Sequence, residues 1–135
     1  MPRKPLTIPK LVKKLDRLFS LYVRHYHSPD GEHCECVTCG KWEPIKDMDA
    51  GHLASRAFGP TRHSESNVFP QCRYCNRYRE GMKPQFVKHV QLWIGEDAYE
   101  EMLAESVKPW KWERGWLEER IEHYQSELKA MGVKY

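Results

Sequence analysis

No stretch of this chain approaches the ~18 consecutive apolar residues that a membrane span requires. The opening ten residues, MPRKPLTIPK, are basic and lack the apolar run of a secretory leader, so the expected setting is cytoplasmic and reducing. There is no internal repeat and no low-complexity tract. Five cysteines is an odd number, which argues against a closed disulfide framework. Net charge is only +3, so the total by itself singles out no polyanionic partner. What is there fits one domain over residues 1–135: 40% hydrophobic and 30% charged residues, an ordinary globular composition with a modest core.

Four of the cysteines form two C-x-x-C pairs, Cys36/Cys39 in CVTCG and Cys72/Cys75 in QCRYCN, with 32 residues between them. Zn²⁺ takes four tetrahedral nitrogen or sulfur ligands, and each pair presents two thiolates to one ion. One structural zinc per chain is therefore expected, and it would supply folding energy that a small central segment lacks. The alternative is a set of buried or redox cysteines. Cys34 is left over, either a substitute for Cys36 or a free thiol nearby. His33 stands close enough to serve as a reserve ligand.

Charge is unevenly spread. Residues 1–25 carry a local +6, residues 26–51 a local −4, residues 52–89 a local +5 and residues 93–131 a local −5. The third segment holds Arg56, Arg62, Arg73, Arg77, Arg79 and Lys83, a composition that suits a polyphosphate such as DNA. A solvated charged face would read the same way.

Hydrophobic spacing predicts a helix over 9–26, where Leu11, Leu15, Leu18, Phe19 and Tyr22 recur every three or four residues behind a Thr7 cap and Pro9. HSPDGEH at 27–33 breaks it. Residues 34–76 are rich in turn formers and predict two short strands, near 45–53 and at NVFPQC, around a long loop SRAFGPTRHSES. Helix is expected to resume after Cys75. Residues 84–105 predict one or two helices divided at Gly95, and 113–131 a last helix with Leu117, Ile121, Tyr124, Leu128 and Met131 on one seam. That seam fits the protein's own core or a homodimer contact.

Between the cysteine pairs lies DAGH, residues 49–52. Strand alternation would send Asp49 and His52 to opposite faces, and Gly51 suggests a bulge or bend that turns both to one pocket. Asp49 and Asn76 offer hard oxygens of the kind Mg²⁺ or Mn²⁺ accepts beside water and phosphate. A neutral His52 near such an ion could take a proton from attacking water. His63 in the loop is read as a solvated histidine, with proton transfer or phosphate binding as its alternative role. His25 and His27 are read in the same bland way.

The string DAGH followed by NVFPQCRYCN resembles the zinc-supported HNH, or His-Me finger, nuclease motif, and the chain is similar to the phage lambda NinG (Rap) recombination nuclease family from about residue 11 to 131. CVTCG, DAGH, QCRYCN, Gly81 and IGEDAYEE carry that likeness. The resemblance implies an α+β fold with a zinc-bound ββα-metal core at 34–80, an N-terminal helix and a helical extension at 84–131. It implies His52 as general base and Asn67 as the residue that holds the ββ loop and orients the histidine. Asp49 and Asn76 would be ligands of the catalytic ion, and Cys36, Cys39, Cys72 and Cys75 of the zinc. It further implies a phage or prophage endonuclease cutting branched DNA, such as Holliday junctions and D-loops, in a bacterial host. Two departures are expected to matter: these 135 residues do not include the cysteine-containing N-terminal extension usual in the family, and the acid stands three residues before the histidine rather than next to it as in compact HNH enzymes. A general HNH nickase, or a zinc-stabilised DNA-binding module without catalysis, would share many of these residues.

Overall fold

A computed structural model describes residues 4–78 and 83–135. The chain is α+β: five helices and two separate two-stranded antiparallel sheets among the described residues. Helix α1 (Ile8–Tyr26) begins where expected, with the Thr7 side chain accepting from the Lys10 amide and Pro9 in the first turn. Its apolar stripe, Leu11, Leu15, Leu18, Phe19 and Tyr22, is buried, and the bases between these positions face outward.

Strands β1 (His33–Glu35) and β2 (Trp42–Pro44) form a hairpin around the first cysteine pair. Sequence patterning does not anticipate it: three-residue strands are too short to display alternation. After a 3-10 turn at Ile45–Asp47, β3 (Met48–His52) pairs with β4 (Val68–Cys72). Their register runs residue for residue from Met48↔Cys72 to His52↔Val68. The strand is thus regular through Gly51, and the expected bulge does not occur. Gly51 answers a different need: a Cβ there would collide with Oε1 of Gln71, which is fully buried.

Helix α2 (Arg73–Arg77) follows β4 without a linker, and it starts before Cys75 rather than after it. The Cys72 sulfur caps it by accepting from the Cys75 amide at 3.5 Å. Helices α3 (Lys83–Ile94) and α4 (Glu96–Ser106) divide at Gly95, whose φ of 88° is a left-handed conformation suited to glycine. The last helix, α5 (Arg114–Ala130), buries Leu117, Ile121, Tyr124 and Leu128.

Three clusters result. The largest packs α1 against α5 and Val68 of β4. The second joins α3 and α4 to Phe69, Leu53, Ala54 and Val37. The third gathers Cys34, Cys36, Cys72 and Cys75 with Ile45 and Met48. Leu117, Ile121, Tyr124 and Leu128 of the expected seam therefore lie within the chain's own core, whereas Met131 is exposed just past the end of α5. No helix among the described residues is long and apolar enough to cross a membrane.

Candidate metal centre and basic cleft

The β1–β2 hairpin and the β4–α2 junction bring the two cysteine pairs together. The sulfurs of Cys36, Cys39, Cys72 and Cys75 lie within 4.8 Å of one another, with Cys39 and Cys72 3.9 Å apart. A tetrahedral ion with Zn–S bonds of about 2.3 Å would separate its sulfurs by about 3.8 Å, so the set fits zinc. Burial and the neighbouring sulfurs push the Cys72 and Cys75 thiols up, while backbone amides bonded to the Cys36 sulfur bring that thiol down against its burial, so holding Cys72 and Cys75 as thiolates calls for a cation. Cys34 is fully buried against this cluster but is not one of the four, and burial raises its thiol to about 11. His33 pairs instead with Asp30, Nδ1 to Oδ2 at 3.0 Å, on the exposed side of the hairpin.

On the other side of β3 and α2 opens a cleft of about 880 Å³. Asp49, His52 and Asn76 all line it. Around them stand Lys13, Arg17 and Arg24 of α1, Lys46, Arg56 and Arg62, and Arg73 and Arg77 of α2. Against these eight bases the cleft holds two carboxylates, Asp16 and Asp49. Such an imbalance attracts a polyanion.

Each central residue has defined partners. Asp49 accepts from Asn76 Nδ2 at 2.9 Å and from Arg77 Nε and Nη2 at 3.0 Å each. Asn76 is the fourth residue of α2, so one short helix carries both groups to the strand. His52, at the end of β3, donates from Nε2 to the Arg62 carbonyl at 2.9 Å. Burial holds its pKa down to about 4, so the ring is neutral at pH 7. With Nε2 carrying the proton, Nδ1 keeps its lone pair.

Asn67 is fully buried and does not line the cleft. Its Oδ1 accepts from the Ala54 amide at 2.7 Å, and its Nδ2 donates to the Ala54 and Thr61 carbonyls at 3.0 Å each. It thereby ties the start of the loop after His52 to its middle and end. His63 overturns its expected solvated state: its side chain is only 2% exposed and bonds Asp16 at 2.7 Å. Burial lowers its pKa.

The expected phosphate contacts fall into three groups. Arg73 and Arg77 reach the cleft from α2. Arg56 and Arg62 reach it too, but both guanidiniums are paired with Asp16. Lys83 points elsewhere and donates to the Leu53 carbonyl. Arg79 lies outside the described residues, as does Gly81. Asp16, like Lys46, is a cleft residue that sequence reasoning passed over. The available signal was its isolation, one acid among the seven bases of residues 1–25.

A family model described as Bacteriophage Lambda NinG protein matches residues 4–133. No curated protein and no solved structure matches the chain.

Proposed function

The chain belongs to the bacteriophage lambda NinG family, and from that premise we propose that it is a metal-dependent DNA endonuclease of the HNH type that cuts branched recombination intermediates. The observation that carries this reading is the meeting of His52, Asp49 and Asn76, from β3 and α2, in one cleft lined by eight bases. In this reading β3, β4 and α2 form the ββα unit, and the four cysteines hold it closed with a structural zinc.

DNA phosphates dock on Arg73, Arg77 and the α1 bases, which read charge and shape rather than sequence. His52 Nδ1 accepts a proton from water as that water attacks phosphorus, and the P–O bond to the leaving sugar oxygen breaks. A base held neutral by burial is ready for this step at pH 7. Asp49 and Asn76 would hold one divalent ion, Mg²⁺ or Mn²⁺, which when bound supplies charge stabilisation at the phosphate. Asp49 already attracts a cation, the Arg77 guanidinium on both its oxygens, and Asn76 turns its Nδ2 to it at 2.9 Å, so an ion there would replace the guanidinium and draw on the Asn76 oxygen. Asn67 keeps the loop that carries the Arg62 carbonyl in place behind the histidine.

The test compares cleavage of a four-way junction with that of a matched linear duplex in Mg²⁺. Faster cutting of the junction, lost in His52→Ala with DNA affinity retained, is the expected result. Equal rates on both substrates would make the protein a general nickase. Full binding with no cleavage of either would make it a zinc-stabilised DNA-binding module.

A further inference from the structure

Asp16 sits on α1, outside the strand pair and helix that carry the proposed chemistry, yet four donors converge on its two oxygens. Oδ1 accepts from Arg62 Nε at 2.9 Å and from His63 Nε2 at 2.7 Å. Oδ2 accepts from Arg62 Nη2 at 2.6 Å and from Arg56 Nη2 at 2.9 Å. Burial alone would raise this carboxyl, but the bonds from His63 and Arg62 hold it well below the usual carboxylate range. Three of the four bonds come from Arg62 and His63, consecutive residues on either side of one peptide group. The carbonyl of that peptide is the acceptor that binds His52 Nε2 at 2.9 Å.

We propose that Asp16 is a positioning residue for His52: by anchoring the side chains on both sides of the Arg62–His63 peptide, it fixes the carbonyl that sets the tautomer and aim of the His52 ring. The inference rests on the reading of His52 as general base and names a part of the same site that no motif contains.

The geometry makes this more than a surface ion pair. The His63 side chain is sealed between Phe19, Trp112 and Trp116, with ring centroids 5.8, 5.6 and 6.4 Å away, so its bond to Asp16 cannot exchange freely with water. The Asp16 side chain is itself only 18% exposed. A neutral imidazole has one N–H, and the nitrogen it occupies is decided by the acceptor offered to it. If the Arg62 carbonyl turns away, no other group selects Nε2–H, because Nδ1 has no hydrogen-bond partner among the described residues. A ring that carries its proton on Nδ1 cannot accept one there. Asp16 also occupies Arg56 and Arg62, so removing its charge frees two guanidiniums for phosphate. The signature of the link is therefore a loss in kcat with no rise in KM for DNA, which removal of a phosphate-binding group would not give.

The experiment uses the full chain with zinc bound, ¹⁵N-labelled at histidine, in Asp16→Asn, Arg62→Gln and parent forms. Long-range ¹H–¹⁵N spectra identify the protonated ring nitrogen of His52, assigned by His52→Gln. The parent is expected to show Nε2–H alone. Both variants are expected to populate Nδ1–H as well, with kcat on a branched DNA down about 10- to 100-fold, and Asp16→Asn to keep KM no higher than the parent's. Retention of Nε2–H alone in Asp16→Asn overturns the proposal, as does its loss with kcat unchanged. Should Asp16→Asn not fold, Arg62→Gln decides by the same two readings, since it keeps Asp16 bonded to Arg56 and His63. A tautomer shift in a protein whose parent form cuts no DNA upholds the positioning link and overturns the nuclease reading.

Discussion

His52 illustrates how much a single position depends on its surroundings. In the unfolded chain an imidazole titrates near 6.5, whereas burial at the end of β3 holds it to about 4. A base with that pKa remains unprotonated through the mildly acidic range. The acid limb of kcat/KM is accordingly expected near pH 4 to 5, and a limb at 6.5 in a pH–rate profile would contradict the buried environment. The same shift has a stability consequence. The folded pKa lies below the unfolded one, so the contribution is complete above about 6.5 and is lost as pH falls through about 4. It is worth on the order of 3 kcal/mol at most. Urea denaturation at pH 7 and pH 4.5 should show that loss in the parent and a smaller one in His52→Gln. Gly51 is the other position where one atom decides. Its added Cβ in Gly51→Ala meets the side chain of the fully buried Gln71, so a loss of about 1–3 kcal/mol in the same assay is expected. At Asp49 the guanidinium of Arg77 occupies both oxygens. Arg77→Ala should therefore tighten Mn²⁺ binding, by up to about fivefold given the worth of an exposed ion pair. Calorimetric titration of metal without DNA reads this directly, and weaker Mn²⁺ binding would remove Asp49 from the metal site.

Among the elements, the junction of β4 and α2 carries the most. Five residues from Cys72 to Asn76 end a strand, cap a helix with a sulfur, supply two thiolates and deliver the amide that meets Asp49. Little apolar packing holds so short a helix, because Cys75 is its one buried residue. A zinc ion on the four cysteines would supply what packing does not. Cys72→Ser, or a strong chelator, is expected to release one zinc per chain and to disorder β1–β2 and α2, while α1 and α5 keep their mutual packing. Metal analysis and amide hydrogen exchange by segment would test this. Uniform exchange protection after metal loss would show that the thiolates are incidental. The sequence was a good guide where an element carries its own periodic stripe: α1, the Gly95 break and α5 lie within two residues of their expected bounds. It was a poor guide for three-residue strands and a five-residue helix, since neither is long enough to display a period.

Across the whole molecule, the net +3 conceals a sorting of charge that only folding completes. The basic α1 and the basic segment after His52 are far apart in sequence, and they close on the same cleft because the apolar stripe of α1 packs on α5 and β4. DNA affinity should fall steeply with salt. Reversal of Lys13 and Arg17 together is expected to weaken binding and to reduce the slope of log K against log salt by about 0.9 for each phosphate no longer neutralised. Fluorescence anisotropy of a labelled junction over a salt series measures both, and an unchanged slope would place the DNA elsewhere.

Taken alone, the sequence determined what depends on spacing between near neighbours. Two C-x-x-C pairs imply one four-sulfur site, a periodic stripe implies a helix, and the motifs from CVTCG to IGEDAYEE resemble the family whose model the chain matches. Tertiary structure decided what depends on groups brought together from afar. It showed Gly51 as a point of close approach rather than a bend, because the side chain it must admit, Gln71, lies on the opposing strand. It made His63 a buried partner and gave Asp16 its role, because a carboxylate on α1 meets the loop 46 and 47 residues later in the chain. Local pattern records the conformational preference of a segment, whereas burial and hydrogen bonding belong to pairs. Their partners become visible only when the chain has closed.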